Sequence, residues 1–300
     1  MTIRPQDAAR LVALALIWSA SFVLIRVLSP AVGPFWVATS RLLIGGLAMA
    51  AWLALSREKV DVRAHWTAYV FIGVLNSGLP FVLWAFAALH LPASYLVILN
   101  AMTPLFGAAI APFAVGERLN APKVAGLASG VVGVVLVTRA VPLAGDARFA
   151  VALCAGLAAA LCYALAAIWI KRKAAALQPI AIAAWSQLFA GALLLPLAMP
   201  SRVAGPVDFT VAVNLLLLGL VCSGIAYLLY YRLIRDIGPT RALTVTFLMP
   251  AFGMVWGALL LHESITAGMV AGAALIVAGT AAVLRPSAAA RTARAMRASA

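Results

Sequence analysis

Three features of the sequence predict an all-α integral membrane protein: ten transmembrane helices forming two inverted five-helix repeats, with both termini in the cytoplasm. First, the 300 residues are 65% hydrophobic and 10% charged, with a mean hydropathy of +1.08, a composition outside the range of water-soluble domains. Second, residues 73–139 return without a gap at 219–285, every position shifted by 146. Ser77-Gly78 matches Ser223-Gly224, Glu117 matches Glu263, Gly126 matches Gly272, and Pro104-Leu105-Phe106-Gly107 matches Pro250-Ala251-Phe252-Gly253. Third, when successive apolar segments alternate in direction, 17 of the 22 Lys and Arg residues fall on the side of the amino terminus and four on the other, with Arg41 inside a span. Such a bias sets the cationic side in the cytoplasm, so the net charge of +14 calls for no nucleic acid.

A spanning helix needs about 20 apolar residues, and ten segments meet that length in order. The first, 9–28, carries Trp18, Ser21 and Phe22 on one face. Arg4, Arg10 and the small residues Ser19-Ala20-Ser21 give it some look of a cleaved leader, but the apolar run continues to Ile25 and its loss would spoil the repeat. The second, 33–55, holds Arg41. In the third, 66–89, Asn76, Pro80 and Trp84 are spaced four apart and so share one helical face. Asn100 and Pro104 lie in the fourth, 93–115, and Gly126-x-x-x-Gly130 in the fifth, 121–139.

The second half follows the same plan. Segments six and seven, 148–170 with Tyr163 and 179–199, repeat the first two more weakly: Arg26 meets Arg172, Ser40 meets Ser186 and Gly45 meets Gly191. The eighth, 209–231, sets Ser223, Tyr227 and Tyr230 on one face, Tyr230 standing where Trp84 stands in the first half. Thr246 and Pro250 belong to the ninth, 239–261, and Gly268-x-x-x-Gly272 to the tenth, 266–284. Residues 1–141 therefore form one repeat, 142–147 the connection, 148–285 the second repeat and 286–300 a basic cytoplasmic tail. Because five crossings is an odd number, the two halves must run through the bilayer in opposite senses.

Within that frame a few residues point to a cavity. Pro104 and Pro250 cannot donate to the carbonyls of Asn100 and Thr246, so both spans bend and free backbone acceptors at membrane depth. Matched irregularities of this kind in inverted halves mark a solute path with hinges at the prolines. Trp18, Ser21, Asn76, Trp84, Asn100, Tyr163, Ser223, Tyr227, Tyr230 and Thr246 would give it aromatic walls and a few hydrogen-bonding groups, as a small amphipathic solute requires. Two readings stay open for Arg41: it attracts a carboxylate solute, or it snorkels or binds backbone carbonyls between helices. The glycine pairs of segments five and ten fit close packing within a monomer, with a dimer face as the rival.

Other classes find little support. The eight acidic residues and His65, His90 and His262 all sit at span ends or in loops, which removes a buried proton relay and leaves Ser21 and Ser223 without a base, so no enzyme is expected. Cys154, Cys162 and Cys222 lie in apolar spans without disulfide or metal spacing, and no cofactor or metal is expected. Glu117 and Glu263 read as tethers of the turns they occupy.

The run Tyr227-Leu-Leu-Tyr-Tyr-Arg-Leu-Ile-Arg-Asp-Ile-Gly-Pro-Thr-Arg-Ala242, with Pro250, Glu263 and Gly272-Ala-Ala-Leu-Ile-Val-Ala-Gly279, resembles the repeated unit of the EamA-type drug/metabolite transporter superfamily. Trp18-Ser-Ala-Ser-Phe-Val-Leu-Ile-Arg26 and Arg41-Leu-Leu are similar to that family's first two spans, whereas His262 stands where the family generally has glycine. The resemblance implies a ten-helix bacterial inner-membrane transporter exporting amino acids or related small metabolites through a central cavity by alternating access, and it is nearest to the aromatic amino acid exporter branch. The expected partners are a small solute and the lipid bilayer, with a monomer favoured over a dimer. A proton-coupled multidrug exporter would need an acidic residue inside a span, and a nucleotide-sugar or phosphometabolite carrier several cationic cavity residues; neither pattern is present.

Overall fold

Helix starts follow local chemistry. Pro5, Pro34 and Pro179 open spans one, two and seven, where a missing N–H costs nothing. Asp61, Asp208 and Thr266 open spans three, eight and ten by accepting the N–H groups of Ala64, Val211 and Met269 at 2.9, 2.8 and 3.2 Å. The computed structural model describes residues 4–58, 60–116, 119–139, 147–201, 203, 205 and 207–284. Glu117, residues 142–146 of the expected connection and the expected tail 286–300 lie outside the described residues.

Among the described residues every regular element is helical, and eight helices are long and apolar enough to cross a membrane: Pro5–Val32, Pro34–Leu55, Val62–Ala87, Ala93–Ala114, Ala121–Thr138, Ala147–Lys173, Pro179–Ala198 and Phe209–Ile237. Two further apolar helices, Val245–Leu261 and Ala267–Val283, have 17 residues each, about 25 Å at 1.5 Å per residue. The ninth segment is the shorter because a break at Leu243-Thr244 separates it from a single turn, Pro239–Ala242. Spans one and eight run longer than their apolar cores. Asp7 and Arg10, and Arg232 and Arg235, still lie in the helix and carry it past the apolar stretch.

Spans three and eight contain what hydropathy does not signal, a π-helical stretch in each: Val74–Gly78 and Leu217–Ile225. The N–H of Leu79 donates to Val74 and that of Ala226 to Val221, each five residues back. The first stretch maps, 146 positions on, to 220–224 inside the second.

Close approach of backbones organises the bundle. Span five lies against span ten: a Cβ on Gly126 would meet the Gly279 carbonyl oxygen at 2.6 Å, and one on Gly133 the Gly272 oxygen at 2.7 Å. Ser129 donates to the carbonyl of Leu275, its own equivalent 146 residues on, at 2.8 Å. The small-residue faces of these two spans are thus occupied within the chain. Elsewhere span two packs on span seven, span one on nine and eight, and span six on four and three. Each pairing has its counterpart when the halves are exchanged.

Candidate functional site

A cavity of about 230 Å³ opens between spans one, two, three, four, six, eight and nine, just below the ~300–1,000 Å³ usual for ligand pockets. Trp18, Ser21 and Phe22 line it from span one, Asn76, Phe81 and Trp84 from span three, and Tyr163 from span six. Span eight adds Tyr227 and Tyr230, and the broken fourth and ninth spans add Asn100, Thr103, Leu243, Thr246 and Met249. The aromatic rings meet in two sets: Trp18 lies 5.2 Å from Tyr230 and 6.0 Å from Tyr227, centroid to centroid, and Phe22 stands edge-on to Trp84 at 5.3 Å. Such offset and edge contacts hold rings rigid. A second hollow of about 310 Å³, between spans one, eight and nine, is walled by Leu16, Val23, Leu217, Val221 and other apolar groups. It offers no charged group, which leaves the first as the candidate site.

Arg41 lines the cavity and is 93% buried, at 7% exposure. Its guanidinium carbon lies 4.0 Å from the centre of the Phe81 ring, and Nε donates to Ser223 Oγ at 3.0 Å. Neither snorkelling nor backbone carbonyls account for it: no described acceptor besides Ser223 and no described carboxylate bonds to the group.

Two sequence-based placements need correction. Asn76, Pro80 and Trp84 were expected on one face, but the cavity takes Asn76, Phe81 and Trp84. A π turn brings together residues five apart rather than four, so Phe81 replaces Pro80 over Asn76. The same distortion turns Ser223 away from the face of Tyr227 and Tyr230 and toward Arg41; Ser223 is fully buried and does not line the cavity. Phe81, Thr103, Leu243 and Met249 were not anticipated, because their exposure to the cavity depends on where helices break and widen. The paired Ser-Gly dipeptides at 77–78 and 223–224 fall within the two π stretches.

The prolines also act unequally. Helix stops at Asn100 and restarts at Thr103, so Pro104 sits in the first turn of the new segment. Pro250 instead lies inside the continuous helix Val245–Leu261, with the break at Leu243-Thr244. Neither proline lines the cavity.

Around the start of span four, Leu91, Ala93, Leu96, Ile98 and Leu99 are fully buried. Here the Glu263 carboxylate, beyond span nine, accepts from the N–H groups of Ala93 and Ser94 at 2.6 and 3.0 Å and from Ser94 Oγ at 2.5 Å. It therefore ties the end of span nine to the positive start of span four. His262 before it adopts φ +53°, and its equivalent Gly116 φ +68°; this left-handed cap is why glycine suits the position. Replacing the carboxylate leaves donors that prefer an anion, each such bond contributing ~1.5–3 kcal/mol. Glu263→Gln is expected to lower the unfolding free energy by about 2 kcal/mol, read as a fall in melting temperature in detergent; an unchanged melting temperature would remove the tether.

Comparison with known proteins agrees with this architecture. Residues 9–139 and 150–285 match the EamA-like transporter family. The chain belongs to that family. Among its relatives are the uncharacterized transporter YoaV of Bacillus subtilis, 24% identical over 90% of this chain and 93% of that one. A probable amino-acid metabolite efflux pump of Salmonella typhimurium is 26% identical over 88% and 89% of the two chains. The S-adenosylmethionine/S-adenosylhomocysteine transporter of Chlamydia trachomatis is 26% identical over 88% and 85%. A solved crystal structure superposes on 97% of this chain and 99% of its own, with a TM-score of 0.68 at 20% identity, which establishes a shared fold. This EamA-like protein is thus a multi-pass membrane transporter.

Proposed function

We propose that the protein exports amino acids, aromatic ones included, or related small metabolites across the bacterial inner membrane, by alternating access of two inverted halves around the cavity and without obligatory proton coupling. The observation that carries this reading is the unequal packing of equivalent residues. Val97 is 1% exposed, whereas Leu243, its equivalent in span nine, is 37% exposed. Val97 is seated on Gly253: a Cβ there would meet the Val97 Cβ at 2.7 Å. Gly107, the equivalent of Gly253, has nothing within 4 Å. One seal is made and its symmetric partner is unmade, as expected of a molecule with two interchangeable states.

Exchange symmetry of the helix pairings and the Ser129–Leu275 contact support the inversion. With both termini cytoplasmic, which the Lys and Arg distribution supports, the Gly253–Val97 seal is external and the cavity faces the cytoplasm. Asp7, Arg10 and Asp236 mark that side; Arg10 bridges both acids at 2.9 and 2.8 Å and joins the start of span one to the end of span eight. Among the described residues no lining residue is acidic or a histidine, which leaves a proton no carrier there. The relatives named for amino-acid metabolite efflux support the solute class.

Efflux of labelled phenylalanine, tryptophan and threonine from proteoliposomes is expected to be saturable and mutually competitive, unchanged by an imposed pH gradient, with a phosphorylated sugar inert. Absence of amino-acid flux would remove the proposed solute, and accumulation driven by the pH gradient would remove the uncoupled mechanism.

A further inference from the structure

The cavity is rich in hydrogen-bond donors, and none of its described lining residues is anionic. A guanidinium has five N–H donors, and Arg41 commits only Nε, to Ser223. Stacking on Phe81 offsets part of the cost of burying the charge without using the remaining four N–H groups. The Trp84 side chain is 1% exposed and its Nε1 makes no hydrogen bond of good geometry, the Tyr163 hydroxyl alone lying near it. The hydroxyl of Thr103, where span four restarts, is likewise buried without a partner. Arg41, Trp84 and Thr103 all line the same cavity, together with Tyr163. Buried polar groups are seldom left unpaired in a folded protein, because each costs ~1–3 kcal/mol. Two such atoms in one cavity, beside a guanidinium whose terminal N–H groups have no described protein partner, describe a seat for an anionic acceptor.

We propose that Arg41, the Trp84 indole N–H and the Thr103 hydroxyl seat a carboxylate. The cavity then takes small organic monocarboxylates with an apolar or aromatic body, for which the carboxylate is indispensable and an α-ammonium is not. The planar guanidinium fork matches a carboxylate with two parallel bonds, and the neutral donors complete its lone pairs. An ammonium group meets no acidic side chain among the described lining residues, only neutral groups such as Ser21, Asn76, Asn100, Thr246 and the aromatic faces, and Arg41 opposes it. The aromatic wall of Trp18, Tyr227 and Tyr230 receives the body of the solute. This assignment rests on the proposed transport function for its solute class, but its test is one of binding.

The test is equilibrium binding to the purified full-length protein in detergent, using four probes: 3-phenylpropionate, L-phenylalanine, L-phenylalaninamide and 2-phenylethylamine. The first two are expected to bind with dissociation constants within about fivefold of each other, and the last two at least about 30-fold more weakly, the loss of one charge-assisted pair. Arg41→Gln is expected to erase that preference, and Arg41→Lys to restore only part of it because an ammonium can neither fork nor stack in the same way. Trp84→Phe keeps the ring, removes the N–H and should weaken both acids about fivefold. The probe series on the unaltered protein stands even if a substitution at Arg41 impairs folding. Equal affinity for the amide and the acid, or an acid preference surviving in Arg41→Gln, would overturn the seat. Acid-selective binding without flux in proteoliposomes would leave it standing and remove the transport reading instead.

Discussion

Gly107→Val is expected to fold as the parent protein does and to lose transport. The position is open, with nothing within 4 Å of a Cβ, so the side chain has room in the present state and the helix gains slightly in propensity. In the opposite state of the proposed cycle the same position would receive Leu243, as Gly253 now receives Val97, whose Cβ lies only 2.7 Å from where a Cβ on Gly253 would sit. Overpacking a close contact costs ~1–3 kcal/mol, and that penalty falls on one state alone, which makes it a shift in a conformational equilibrium rather than a loss of stability. Exchange rates in proteoliposomes should fall roughly 10- to 100-fold, while the melting temperature and binding from the open side stay near parental values. Normal transport by Gly107→Val would show that Leu243 does not close onto this site, and the proposed cycle would need another cytoplasmic seal.

Gly272→Ala is the opposite case, a single methyl group with a large effect on stability. A Cβ there would lie 2.5 Å from the Gly133 carbonyl oxygen and 2.5 Å from a Val137 methyl carbon. The carbonyl belongs to a helix backbone, which cannot step aside as a flexible side chain can. Spans five and ten must therefore separate, and the contacts at Gly126, Gly133 and Gly279 loosen together. A loss of about 3 kcal/mol is expected, well beyond the ~1 kcal/mol that alanine gains over glycine in helix propensity. Thermal unfolding in detergent measures it, with Gly107→Ala as the control that should unfold at or slightly above the parental temperature. Parental stability in Gly272→Ala would mean that these two spans are not held by backbone contact.

The two substitutions separate what repetition in the sequence can and cannot tell. Gly107 and Gly253 occupy equivalent places, as do Gly126 and Gly272, and nothing in the chain distinguishes the members of either pair. In the structure the second pair is used symmetrically and the first is not, because a pair lying where spans five and ten cross meets the same surroundings from both halves. A pair facing opposite ends of a cavity does not. Pro104 and Pro250 show the same thing: identical residues, identical offset, yet a helix break directly before one and an unbroken helix around the other.

Membrane character, the order and approximate limits of the spans, the duplication and the family resemblance were determined by the sequence alone, since each depends on local composition or on a constant offset along the chain. Apolar length suffices to set a spanning helix, because the bilayer leaves its backbone no other partner. The convergence of Trp18, Asn76, Trp84, Tyr163, Tyr227 and Tyr230 on one cavity was partly legible, as a tally of polar and aromatic residues on helix faces. Tertiary structure decided the rest. The π stretches exchanged Pro80 for Phe81 and turned Ser223 toward Arg41; such widening is a response to packing and carries almost no compositional mark. The unpaired donors of Arg41, Trp84 and Thr103 exist only as relations among spans two, three and four. A side chain's partners are set by what surrounds it in space, and periodicity along a single helix contains no information about that.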